Sequence, residues 1–97
     1  MKPRFLEITY RKGKPVAAYL YLPRQPGDVS SRTEQHGLGL VVDFTADGRA
    51  MGVEITAPSR ITLADLNQTL KEINQPAATA DDLAPLLAHR RSASATA

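Results

Sequence analysis

The chain has no cysteine and no tryptophan, and only two Phe and three Tyr among its 97 residues. The lack of cysteine removes disulfides, thiolate catalysis and Cys-based metal sites together. The scarcity of aromatics places the core on Leu, Val and Ile. No stretch approaches the ~20 apolar residues of a membrane span, and the opening MKPRFLEITY has no apolar run long enough for a secretory signal. A cytoplasmic protein with no membrane attachment is expected. Histidines are scarce too: His36 and His89 stand alone, with no H-x-x-x-H or similar spacing, whereas a zinc site takes three or four protein ligands. Gly37-Leu38-Gly39 lacks the third glycine and the lysine of a phosphate loop, and Ser30-Ser31 lacks a G-x-S-x-G context. No catalytic residue, metal ligand or cofactor is assigned, and a non-enzymatic protein is expected.

What is present is strand patterning. Phe5–Tyr10 and Val16–Leu22 alternate with period two, the mark of half-buried strands. Arg11-Lys12-Gly13-Lys14-Pro15 is a polar loop suited to reversing the chain. With Tyr10 facing Val16, Ile8 faces Ala18 and Leu6 faces Leu20, so one hairpin face is wholly apolar or aromatic. The other face sets Phe5, Glu7 and Thr9 against Tyr21, Tyr19 and Ala17. Pro23 and Pro26 end the second strand, since each lacks a ladder donor. Val29–Thr33 reads as a short edge strand.

A second hairpin is written in Leu38–Thr56. Leu38, Leu40, Val42 and Phe44 share a face with Met51, Val53 and Ile55 around an Ala46-Asp47-Gly48-Arg49 turn. Setting Val42 opposite Val53 keeps both apolar sets on one side and so fixes the register. Gly39 and Gly52 suggest close packing or a bulge within strands. Beyond Pro58 the period becomes helical: Leu63, Leu66, Leu70 and Ile73 form one stripe, Thr62 and Asp65 resemble a capping box, and Pro76 stops the helix. A further helix start lies at Thr79 or Asp82, and SASATA at 92–97 is a low-complexity tail.

The fold expected is α+β: an antiparallel sheet of four to five strands, two β-hairpins plus a short edge strand, with one amphipathic helix packed on one face. Residues 1–76 form a single small α+β domain, and 77–97 a C-terminal extension, a short helix followed by a disordered tail. A unit this small buries only about 60% of its unfolded-chain surface. Covering an apolar patch with a second copy is therefore a direct way to add stability.

Three pieces resemble a family of small bacterial proteins, the domain of unknown function 2283 family. They are Ile8-Thr9-Tyr10, Ala18–Leu22, and above all Val41–Ile55, which joins the turn, Gly52 and Glu54 in one order. The resemblance spans about residues 6–57, with the helix at 62–75 as its continuation. It brings no catalytic residues. It implies, at family level, antitoxin partners of small toxin proteins. Relatives carry acidic residues between the first two strands, where this chain has Arg11-Lys12-Gly13-Lys14.

Charge is unevenly spread within a net +2: residues 1–24 hold six bases against one acid, residues 25–97 six bases against nine acids. Two function classes follow. In the first, a protein-interaction module self-associates or binds a toxin-like protein through a face of Phe5, Tyr19 and Tyr21, through the strand at 29–33, or through the tail. The alternative is a nucleic-acid-binding module using Arg4, Arg11, Lys12 and Lys14. Bases on loops and edge strands also serve solubility, so nucleic acid is not the partner expected. Asp43 and Glu54 fall diagonally on one sheet face. With no third ligand or nucleophile beside them, they read as a solvated polar face.

Overall fold

Alternation carries through into five antiparallel strands. The computed structural model describes residues 4–86. In chain order the elements are β1 (Phe5–Arg11), β2 (Lys14–Tyr21), β3 (Arg32–Gln35), β4 (Leu40–Phe44), β5 (Ala50–Ile55) and α1 (Leu63–Glu72). They form one sheet of order β1-β2-β5-β4-β3 with the helix on one face, an α+β fold. The second hairpin thus docks its β5 against β2, which turns two local units into one sheet.

The expected registers hold where side-chain parity decides them. Leu6 lies opposite Leu20 and Ile8 opposite Ala18, and Val42 lies opposite Val53. The first turn is tighter than the pattern suggested. Lys12 and Gly13 both have positive φ, 52° and 77°, the two-residue loop whose twist matches paired strands. Tyr10 therefore faces Pro15, and the extra residue on β2 is Val16.

Two strand limits are corrected. Leu38, expected on the apolar face, is 90% exposed. It sits between Gly37 and Gly39, both at positive φ, in a turn closed by the His36 N–H donating to the Leu40 carbonyl at 2.8 Å. The strand begins only after that turn. The edge strand expected at 29–33 instead runs Arg32–Gln35, because its position is set by pairing with Val41–Phe44 rather than by local propensity. The segment before it is held by a turn in which the Asp28 N–H bonds the Gln25 carbonyl. Asp28 also accepts two bonds from Arg49, at 2.8 and 3.0 Å, tying this loop to the β4–β5 turn.

α1 is capped by Thr62 and Asp65, whose side chains each accept from the other's backbone N–H at 3.0 Å. It ends before Pro76. Asn74 takes a positive φ of 59°, and the Gln75 N–H reaches back to the Leu70 carbonyl at 2.8 Å, a C-terminal cap that satisfies the last carbonyls. Leu66 and Leu70 are buried against Ala18, Leu20, Leu40, Val42, Val53 and Ile55 of the sheet.

The boundary expected after residue 76 falls inside the packed unit. Ala78 and Leu83 belong to the same core, and Leu86 is buried. The Asn67 side chain makes the junction: its Nδ2 donates to the Ala78 carbonyl at 3.1 Å, and its Oδ1 accepts from the Ala78 N–H at 2.6 Å. Thr79 and Asp82 repeat the capping box, each side chain bonding the other's N–H, and residues 84–86 begin a helical turn. Leu87, His89 and the 92–97 tail lie outside the described residues.

Candidate interaction surface

Period two sends every second residue of the sheet away from the helix. On that outer face stand Phe5, Glu7 and Thr9 of β1, and Tyr19 and Tyr21 of β2. Gly52 and Glu54 of β5 lie beside them, followed by Val41 and Asp43 of β4. Phe5, Tyr19 and Tyr21 come together as their parity required. Phe5 and Tyr21 are paired across the strands and stack with centroids 4.4 Å apart and planes 11° from parallel. Tyr19 and Tyr21 are tilted neighbours at 4.7 Å. The Arg24 guanidinium lies 5.0 Å from the Tyr21 centroid, and the Tyr21 hydroxyl donates to Glu7 at 3.3 Å.

The three aromatics have unlike roles. Tyr19 crosses β5 and donates its hydroxyl to Asp43 Oδ2 at 2.6 Å, linking β2 to β4. Its ring lies on Gly52, where a Cβ would sit 2.2–2.5 Å from the ring and hydroxyl. That is the reason for glycine at this position: an aromatic ring fills the space a side chain would take. Burial pushes the Tyr19 phenol well above its ordinary range, and the bond to Asp43 and that carboxylate's charge push the same way. The phenol is a fixed donor and part of the sheet's structure. Phe5, in contrast, is 49% exposed on an outer strand.

The carboxylates considered for cation or acid–base chemistry are placed as the register required: Asp43 pairs with Gly52, and Glu54 with Val41 and Tyr19. Asp43 is engaged by Tyr19 while Glu54 is exposed. Among the described residues no group of three or more His, Cys, Asp or Glu is placed to hold a metal ion. No helix there is long and apolar enough to cross a membrane.

The four bases do not form one patch. Arg11, Lys12 and Lys14 flank the β1–β2 turn, while Arg4 precedes the opposite end of β1. Arg4 and Arg11 are seven residue steps apart along an extended strand, on the order of 23 Å at strand rise.

One feature escaped the sequence reading. A groove of about 530 Å³ runs between the 37–39 turn and the flank of α1, lined by Leu38, Arg60, Asp65, Gln68 and Glu72 among others. Glu72 of the groove wall is held by His36, whose Nδ1 is 2.9 Å from Glu72 and whose Nε2 is 3.3 Å from Glu34. The bond to Glu72, with help from Glu34 and against partial burial, raises the His36 pKa above its ordinary value. Asp65, Gln68 and Glu72 recur at helical spacing along the polar side of α1. Nothing in the sequence showed that a glycine-flanked turn would stand opposite it.

No protein-family model, no curated protein and no solved structure matches this chain.

Proposed function

We propose that this chain is a small non-enzymatic protein-interaction module that acts through its outer sheet face. The observation that carries the reading is the Phe5–Tyr21 stack at 4.4 Å, with Phe5 half exposed. An aromatic pair preassembled by its own strands loses little side-chain entropy on binding. Tyr19 supports the pair from one side by its contact with Tyr21. Self-association is the simplest form of this function, because a unit of this size gains most from a second copy. The resemblance of residues 41–55 to the domain of unknown function 2283 family adds a toxin-like protein as the more specific partner. A cytoplasmic bacterial protein is the setting this implies. Two features weigh against the alternative, nucleic-acid binding through the basic N-terminal segment: Arg4 is far from the other three bases, and Arg24 is occupied over Tyr21.

The test is light scattering coupled to size exclusion on the full chain and on Phe5→Glu, with folding followed by circular dichroism. Tyr19 is the wrong residue to change, since it also covers Gly52 and holds Asp43. A dimer that becomes a folded monomer with Phe5→Glu is expected. A wild-type chain that stays monomeric at high micromolar concentration rejects self-association.

A further inference from the structure

The two outer strands of this sheet are finished differently. β3 is four residues long, and all four are exposed. Its Arg32 and Glu34 sit opposite Phe44 and Val42, hence on the helix side. Arg32 lies over the Phe44 ring at 4.4 Å and pairs with Glu34, which also contacts His36. Charges turned toward the core side of a short strand block the addition of another strand. β1 has none of this. It is seven residues long, and among the described residues no strand pairs with its outer edge. Leu6 and Ile8 face the core only partly buried. The β1–β2 irregularity places its extra residue on β2, so β1 itself stays regular.

We propose that two copies of this chain pair antiparallel through β1, about a two-fold axis at Thr9, giving one sheet with five strands from each copy. This deepens the self-association reading above and rests on it. The charges of β1 select the register. A two-fold axis normal to the sheet keeps both helices on one side and sets residues of like parity opposite each other. Centred on Glu7, it opposes two like carboxylates. Centred on Ile8, it sets Glu7 against Thr9 and Arg11 against Phe5. Centred on Thr9, it sets Glu7 against the partner's Arg11 and Arg11 against the partner's Glu7, two ion pairs on the outer face. Both groups are available for it: Arg11 has no partner among the described residues, and Glu7 has only the 3.3 Å contact from Tyr21. Phe5, at the start of the same strand, puts the aromatic stack and the paired edge on one surface.

The chain contains no cysteine, so an introduced thiol is unique. Opposed residues of an antiparallel pair have Cα atoms about 4.5–5.5 Å apart, within disulfide reach. Thr9→Cys is expected to give a covalent dimer on mild oxidation of the full chain, and Thr33→Cys on β3 is not. Arg11→Glu is expected to weaken the dimer about tenfold, since two attractive pairs become repulsive. Glu7→Arg combined with Arg11→Glu is expected to restore it. If the wild type is a dimer but Thr9→Cys does not cross-link and the reversed pair fails to rescue, β1 pairing is overturned while self-association stands. If cross-linking appears on Thr33→Cys instead, the pairing edge is β3 and the inference is wrong. If the wild type is monomeric throughout, this inference and the self-association reading fall together.

Discussion

The two faces of this sheet solve the same covering problem with different materials. The helix side is closed by aliphatic side chains: Leu20, Val42, Val53, Leu66 and Leu70 are all fully buried. The outer side has no helix on it among the described residues. It closes its own backbone instead, by laying Tyr19 over Gly52 and anchoring the phenol on Asp43. The first face depends on volume filled from another layer. The second depends on one ring and one hydrogen bond within a single layer, and leaves Phe5 outside that arrangement.

The contrast is tested most severely at Leu66. Leu66→Ala removes a fully buried side chain from the helix layer and is expected to cost about 2–5 kcal/mol, read as a shift of the urea midpoint. An unchanged midpoint would mean that α1 adds nothing to the core. On the other face, Gly52→Val must displace the Tyr19 ring and is expected to cost roughly 1–3 kcal/mol. The same substitution made in a Tyr19→Ala background should cost clearly less. If the two costs are equal, the ring is not what excludes a side chain at 52.

The smallest effect belongs to His36, where the helix layer meets the β3 edge. Its pKa is raised by Glu72 and Glu34, so the contact contributes most below the unfolded value of about 6.5. That contribution is lost as pH rises through the folded pKa. The stability gap between the wild type and His36→Gln should therefore shrink from about pH 6 to pH 9. A gap that stays constant across that range would show that the bond to Glu72 does not depend on the charge of the ring. Because both carboxylates are well exposed, the change is small.

What the sequence disclosed follows from how local each cause is. Hairpin registers depend on parity alone, so Leu6 opposite Leu20 and Val42 opposite Val53 were readable, and the Thr62–Asp65 cap was written within four residues. The grouping of Phe5, Tyr19 and Tyr21 was readable for the same reason. The partner of Tyr19 was not, because Asp43 lies two strands away and only the docking of β5 against β2 brings it near. Leu38 misled by matching the apolar alternation, when the glycines on either side had already turned the backbone. The segment after Pro76 was set apart because the helical period stops there, and the Asn67 contact to the backbone of Ala78 that leads Leu83 back into the core has no hydrophobic signature.

That Asn67 clamp also bears on the order in which the protein is made. Chains fold from the N-terminus as they are synthesised. A nascent chain complete through α1 has its whole sheet and helix, yet lacks Ala78 and Leu83, which finish the core, and the buried Leu86. The helix flank that carries Asn67 stays wet, its amide unpaired, until those residues emerge. Closure of the fold thus waits on residues 78–86, and a chain truncated after residue 76 would present an assembled but unsealed domain.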